Sequence, residues 1–481
     1  MNIPNLLLQR AHLTPDRIGL FGIEKNYTFQ ELFAQSLIVA GRLRRLGVKS
    51  GDHVGVLSSN DEKMVILLHS LQQLGCVSVL LNTRLTAEEL SFQLRDANVE
   101  VICTEAAFAN RCSFINKDSI YTITDLFSNE GEEFEPEKEL ILEDICSIMF
   151  TSGTTGKPKG VLQSYQNHWW SAMGSVLNLG LDENDCWLCA VPLFHISGFS
   201  ILMRSVIYGI PMKIYREFNA KEINLDIEAG NGTIISVVAT MTLRLLEDLG
   251  NRKYHPRFRC FLLGGGPASL LLLQKCMKAD IPVFQTYGMT ETCSQVVTLP
   301  PEYSLTKLGS AGKALFPCQL TILDPNEQGE GEIAVKGPNI SSGYYRRLEA
   351  TQDAFREGWL LTGDIGYLDE EGFLFVVDRR SDLIISGGEN IYPAEVESVL
   401  QAHEAVIEAG VTKIPNDKWG QVPYAYITVR QVVGEEELLR WCEERLAKYK
   451  VPHGISIVKE LPRNAANKLV RNELRALWER R

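Results

Sequence analysis

Thr151-Ser-Gly-Thr-Thr-Gly-Lys-Pro-Lys159, set directly after the apolar run Ile145-Cys-Ser-Ile-Met-Phe150, carries a buried strand into a loop of hydroxyl residues, glycines and lysines. Backbone N–H groups with little side-chain bulk around them, flanked by ammonium groups, suit a loop that wraps a polyphosphate. A Walker loop would place Ser or Thr after the lysine and open straight into a helix. Here Pro158 follows Lys157, and the first two glycines, Gly153 and Gly156, lie three positions apart. The segment reads as a nucleotide loop of another kind. A Ser/Thr/Gly-rich run is otherwise a flexible linker; the buried strand before it and the two lysines weigh against that.

At 481 residues the chain is too long for one ordinary domain, and two or three units sharing a large core are expected. Its 48 basic and 60 acidic side chains leave a net charge of −12 without a long basic run, which makes nucleic acid and anionic membrane poor partners. The 11 cysteines are scattered rather than paired at framework spacings, and Met1–Arg10 lacks a basic start followed by a long apolar core. Both features point to a reducing cytoplasm. Cys186-Trp-Leu-Cys189 falls in a predicted strand, where the odd offset sends the two thiols to opposite faces and argues against a shared metal. The apolar region from Met64 to Leu81 contains His69, Gln72, Gln73 and Gly75, so it reads as a buried helix running into a strand and not as a membrane span.

From residue 28 to residue 260 helical patterns alternate with short β-rich runs. Thr28 with Glu31 forms a capping box for a helix over Phe29–Leu46, Gly51–Leu57 enters a strand, and a helix over Glu62–Leu74 precedes a strand over Val77–Leu81. Such alternation predicts an α/β fold with largely parallel sheets. The glutamate-rich stretch 127–140 reads as a solvated connector. Past residue 300, Gly309–Lys313, Gln319–Leu323, Gly331–Gly337 and Gly372–Val377 are short strands between glycine turns, which predicts a small β-barrel-like subdomain over 300–378. A large N-terminal domain over 1–378, a polar joint at 379–382 and a small α+β domain over 383–481 follow. In that last unit, helices are expected over Pro393–His403 and Glu435–Tyr449 and strands over Ala409–Val411 and Ala425–Val429.

Three further groups accompany the loop. Phe261–Ala268 places Gly264, Gly265 and Gly266 at the end of an apolar strand, either as bare backbone against a ligand or as a simple strand-to-helix turn. Gln285–Thr292 puts an aromatic ring, a glycine, a hydroxyl and a carboxylate together, and Glu291 is a hard oxygen ligand of the kind magnesium takes. Thr362-Gly-Asp364 and Asp378-Arg379 offer a carboxylate and a guanidinium for ribose or phosphate.

The segments Thr151–Gly160, Pro192–Gly198, Gln285–Thr292, Thr362–Asp364, Asp378–Glu397 and Pro462–Lys468 occur in the order and spacing of the adenylate-forming superfamily of acyl-CoA synthetases, adenylation domains and luciferases. The resemblance covers essentially the whole chain. Ser200–Gly209, Leu262–Pro267, Gln285–Lys307 and Ser381–Glu397 look like the branch that activates 2-succinylbenzoate for menaquinone synthesis. The last of these runs is shared by many acyl-CoA synthetases and speaks to coenzyme A chemistry more than to the acid.

The resemblance implies two half-reactions at one site: a carboxylate attacks the α-phosphorus of ATP, and the CoA thiol then displaces AMP. By carry-over, Lys468 bridges carboxylate and α-phosphate, and Thr151, Ser152, Gly153, Thr154, Thr155, Gly156, Lys157 and Lys159 hold the outer phosphates. Glu291 holds Mg2+. Gly264, Gly265, Gly266, Gln285, Thr286, Tyr287, Gly288, Met289 and Thr290 form the nucleotide pocket, with Asp364 and Arg379 at the ribose. Rotation of the small domain brings Ser386, Gly387 and Gly388 to the pantetheine channel. Two positions depart from the superfamily pattern: the pivot is Ser381, and Asn467 replaces the glycine before the catalytic lysine.

His195, Ser197 and Gly198 are expected in the acyl pocket, His195 as a gate against an aromatic acid or as a core histidine. Phe194-His195 lacks the acidic residue that meets an α-ammonium in amino-acid-activating relatives, so the acid is amine-free. Arg204 and Ser197 are the candidates to meet a spectator carboxylate, unless Arg204 lies on a solvated helix face. Other aryl- or fatty-acid CoA ligases, a carrier-protein-loading enzyme and a luciferase-like oxygenase are the alternatives. A chain of this size is often a homodimer.

Overall fold

The computed structural model describes residues 1–128, 134–151, 158–266, 268–379, 382, 384–386, 389–391, 393–416, 419–446, 448–463 and 469–480. The chain folds into two compact units, Met1–Leu320 with Val335–Leu360, and Thr321–Ala334 with Leu361–Arg481. Part of the β-rich stretch thus groups with the C-terminal residues.

In the first unit a six-stranded sheet runs in the order Lys159–Ser164, Ile145–Thr151, Val77–Leu80, His53–Leu57, Val101–Thr104, Ile120–Thr122. All its pairs are parallel except the terminal hairpin Ile145–Thr151 with Lys159–Ser164. A second sheet sets Met212–Ile214, Trp187–Cys189, Ile234–Val237, Cys260–Leu263 and Val283–Met289 side by side in parallel, then turns antiparallel through Ser294–Leu299 and Ser310–Ala314.

Local chemistry fixes the helices between them. The Thr28–Glu31 capping box starts Phe29–Arg45, where both reciprocal bonds form, and Arg42, Arg44 and Arg45 close it at the negative end of its dipole. In Glu62–Gln73 every residue but Lys63 is buried, because this helix is packed on all sides in the core. Among the described residues, no helix is long and apolar enough to cross a membrane. Cys189 packs with Trp187 in one core and Cys186 with Leu188 in another, as the pleat requires. Burial pushes both thiols up to about 12; all eleven cysteines are free and ten are buried.

The second unit takes in the parts of strands Gln319–Leu323, Gly331–Lys336 and Trp359–Leu368 that fall within Thr321–Ala334 and from Leu361 onward, together with Leu374–Arg379. Its C-terminal part is built on the long hairpin Val406–Asn416 with Gly420–Val429, flanked by Ile384–Ser386, Glu389–Ile391 and Ile455–Ile457. The expected helix Glu435–Tyr449 ends at Glu443, and a separate 3₁₀ turn covers Lys448–Lys450. The helical charge pattern runs on to residue 449, but the chain has to reverse there to lay Ile455–Ile457 beside Gly420–Val429.

Candidate functional site

Thr151 and Lys159 are in-register partners of the antiparallel hairpin Ile145–Thr151 with Lys159–Ser164. The segment is therefore followed by a strand paired back on the one before it and not by a helix, which accounts for the missing Walker pattern. Ser152, Gly153, Thr154, Thr155, Gly156 and Lys157 lie outside the described residues. At the near end, Lys159 Nζ stands over the Tyr344 ring, 5.1 Å from its centroid.

Glu291 occupies a one-turn 3₁₀ helix, Thr290–Thr292, that reverses the chain between Val283–Met289 and Ser294–Leu299. The turn is tight. Cys293 and Ser294 take φ of +50° and +100°, and a Cβ on Gly288 would lie 2.1 Å from the Ser294 carbonyl oxygen. Strain of this kind persists only where the surroundings hold it, and every carbonyl of the turn has a donor from elsewhere or from within. Gln163 Nε2 donates to Thr290 O (2.9 Å), Ser341 N–H to Glu291 O (2.8 Å) and Asn339 Nδ2 to Thr292 O (3.0 Å). Ser171 Oγ donates to Cys293 O (2.5 Å) and Thr292 Oγ1 to Ser294 O (2.6 Å).

The Gln163 amide is itself held, because Ser147 Oγ donates to its Oε1 at 2.8 Å and His168 Nε2 lies 3.2 Å from the same hydroxyl. Burial pulls the His168 pKa down to about 3, helped by the nearby Arg204 charge, so its imidazole is neutral. The Glu291 carboxylate is 8% exposed and accepts from the Tyr344 hydroxyl at 2.9 Å. A fixed, nearly dehydrated carboxylate whose partner Tyr344 also carries Lys159 is a donor that fits Mg2+.

The glycine run and Gln285–Thr290 lie on or after neighbouring strands. Gly264, Gly265 and Gly266 follow Cys260–Leu263, with Gly265 at φ +85° and open space around Gly266 where a side chain would stand. A Cβ on Gly264 would come 3.1 Å from Thr286 Oγ1, so the glycines and Gln285–Thr290 meet in space. Gln285 is 6% exposed, yet its Nε2 has no hydrogen-bond partner among the described residues. An orphaned buried amide beside bare glycine backbone fits a polar heterocycle such as adenine. Tyr287 is half-buried and Met289 closes the strand.

His195 is the N-cap of helix Ile196–Tyr208, and its ring packs on Phe194 at 4.7 Å between centroids. Ser197 stays half-buried in the first turn. Gly198 answers a close approach: a Cβ there would lie 2.3 Å from the Pro192 carbonyl oxygen. Gly198→Ala should therefore lower stability by about 1–3 kcal/mol, the usual scale of overpacking, read as a fall in the thermal midpoint.

Arg204 does not lie on a solvated face. It is 1% exposed, its guanidinium stands 5.1 Å from the Trp187 ring centroid, and its Nε and Nη2 have no hydrogen-bond partner among the described residues. Burial pushes its pKa down; the groups opposing that shift are Tyr208 and Cys260. Burial raises both of those pKa values, so neither supplies a negative charge.

In the second unit Asp364 and Arg379 are cross-strand partners of Trp359–Leu368 and Leu374–Arg379. Thr362-Gly-Asp is thus not a free turn: Thr362 Oγ1 donates to Ile333 O at 2.8 Å, and Gly363, at φ +72°, donates its N–H to Glu332 at 3.1 Å. Ser386, 6% exposed, ends the short strand Ile384–Ser386 opposite Glu389; Gly387 and Gly388 lie outside the described residues, as does Lys468.

Gln163, Asn339 and Tyr344 were not legible as site residues. Gln163 reaches the Glu291 turn from the strand Lys159–Ser164, and Asn339 and Tyr344 reach it from the connection between Gly331–Lys336 and Leu348–Ala354, Tyr344 across 53 positions; none carries a local motif.

The family model for AMP-binding enzymes matches residues 7–345, and that for the AMP-binding enzyme C-terminal domain matches 395–468. The 2-succinylbenzoate–CoA ligase of Geobacillus sp. (strain WCH70) is 52% identical over 482 residues, covering 99% of this chain and 98% of its own. Among solved structures, o-succinylbenzoate CoA synthetase (MenE) from Bacillus subtilis in complex with the acyl-adenylate intermediate OSB-AMP superposes with a TM-score of 0.94 at 49% identity, covering 98% of each chain. The same enzyme with ATP and magnesium ion gives 0.94 at 48%, covering 98% of this chain and 100% of that one. With the hairpin Ile145–Thr151 with Lys159–Ser164, the braced Glu291 turn and the glycine-lined strand ends all inside the longer match, this chain belongs to the AMP-binding enzyme family.

Proposed function

We propose that the chain ligates 2-succinylbenzoate to coenzyme A through an acyl-adenylate, releasing AMP and pyrophosphate, as a step of menaquinone biosynthesis. The Geobacillus ligase and the Bacillus subtilis acyl-adenylate complex support the reaction and the acid. The geometric observation that carries the choice of acid is Arg204, a buried guanidinium on the helix that His195 opens, whose Nε and Nη2 have no hydrogen-bond partner among the described residues. 2-Succinylbenzoate has two carboxylates, and only the one on the chain reacts; the other has to be matched by positive charge.

In the first half-reaction the chain carboxylate attacks the α-phosphorus and pyrophosphate leaves. Both reactants are anions, so the residues act mainly by placing charge where charge accumulates. Mg2+, when bound, neutralises phosphate charge and orients the leaving group. Glu291 holds that ion, residues 151–159 hold the outer phosphates, Gln285 and Tyr287 hold the adenine against Gly264–Gly266, and Asp364 with Arg379 holds the ribose. Lys468 bridges the carboxylate and the α-phosphate. In the second half-reaction the thiol attacks the acyl carbon and AMP leaves; Ser386, Gly387 and Gly388 border the pantetheine, with the joint at 379–382 as pivot and the domains divided at 378 and 383. Eleven free thiols suit a reducing cytoplasm, and light scattering reads whether the chain is the symmetric dimer expected from its size.

The test is direct. Protein incubated with ATP, Mg2+, CoA and a panel of 2-succinylbenzoate, benzoate and medium-chain acids should give the 2-succinylbenzoyl thioester by mass as its main product. Turnover of another acid at higher kcat/KM would replace this substrate with that one.

A further inference from the structure

We infer that Tyr344 is a positioning residue for the magnesium carboxylate, its phenol fixing Glu291 while its ring carries the Lys159 ammonium. Its hydroxyl donates to Glu291 Oε1 at 2.9 Å, and Lys159 Nζ stands 5.1 Å from the ring centroid. One side chain thus touches both the metal carboxylate and the last lysine of the phosphate hairpin. Its backbone is clamped on both sides. Leu162 N–H donates to Gly343 O (3.0 Å), Tyr345 N–H to Gly160 O (2.8 Å) and Tyr344 N–H to Thr351 Oγ1 (3.0 Å).

The turn carrying Glu291 is braced through its carbonyls by Gln163, Ser341 and Asn339, which set the backbone but leave the side-chain torsions free. Tyr344 acts on the carboxylate itself. A donor on one carboxylate oxygen restricts the rotation of the whole group, and loss of such outer contacts typically weakens metal binding by about 10- to 100-fold. The inference rests on the reading of Glu291 as the metal ligand.

Tyr344→Phe keeps the ring over Lys159 and removes the donor. The measurement is binding of α,β-methylene-ATP with Mn2+ and, separately, with EDTA, with bound Mn2+ followed by electron paramagnetic resonance. Tyr344→Phe should reduce the gain in nucleotide affinity that Mn2+ confers by about 10-fold and leave metal-free binding at the parental value. An undiminished Mn2+ gain, or an equal loss of metal-free binding, would overturn the inference. Glu291→Gln separates the two levels. If it abolishes the gain while Tyr344→Phe does not, Tyr344 is not the positioning residue; if it leaves the gain intact, Glu291 is not the ligand and the reading beneath falls with it.

Discussion

Lys468→Ala should slow adenylate formation by about 10²- to 10³-fold, the scale of losing one preorganised electrostatic donor, while a supplied acyl-adenylate is still converted to thioester at near the parental rate. The asymmetry follows from charge. In the first half-reaction a carboxylate approaches a phosphate and both repel. An ammonium between them lowers that repulsion most where the new bond forms. In the second, a thiol meets a neutral acyl carbon, and the leaving AMP needs no bridge from that side.

The ends of the segment that carries Lys468 are well anchored. Arg463 and Leu469 form an antiparallel bridge, and Val470 N–H donates to Pro462 O at 3.0 Å. Arg463 pairs with Glu408 at 2.6 Å, and Arg471 pairs with both Glu397 and Asp382 at 2.8 Å. The last of these ties the stretch after the lysine to Asp382, beside the proposed pivot. The decisive measurement is pyrophosphate release set against thioester formation from synthetic adenylate. Equal loss of both, or parental pyrophosphate release, would remove Lys468 from the role.

Much of this architecture was legible in the sequence because it is written locally. The Thr28–Glu31 box needs only a spacing of three, and both its bonds form. Gln319–Leu323 is a strand with the expected bounds, since turn residues punctuate both its ends. The odd offset of Cys186 and Cys189 was enough to assign them to different cores.

What failed was long-range. Helical periodicity continued past Glu443, and nothing within Glu435–Tyr449 announces the sheet partner that forces the chain to turn. Tyr344 sits among polar residues and shows its use only when Glu291 is brought to it. Arg204, between Met203 and Ser205, could be solvated or buried on its own sequence; Trp187 and His168, from other elements, decide the matter.

Arg204→Met should cut kcat/KM for 2-succinylbenzoate by about 30- to 1000-fold, because truncating one partner of a buried charge pair costs roughly 2–4 kcal/mol. The ligand-free protein should respond in the opposite sense. Its guanidinium is 1% exposed and, among the described residues, without a carboxylate partner. A buried charge in that condition is a burden on folding, and an apolar side chain of similar length relieves it. The thermal midpoint of Arg204→Met should therefore stay level or rise while catalysis with the diacid collapses.

A second acid sharpens the test. 4-Oxo-4-phenylbutanoate keeps the reacting carboxylate, the ketone and the ring but lacks the ring carboxylate, so it cannot use Arg204 as an ion partner. The parental enzyme should strongly prefer the diacid, and Arg204→Met should narrow that preference toward unity, chiefly by weakening the diacid and not by improving the monoacid. A carboxylate-binding role changes the ratio, whereas a purely structural role lowers both substrates together. Parallel losses on the two acids, accompanied by a lower thermal midpoint, would place Arg204 in the core and leave the spectator carboxylate to another cation.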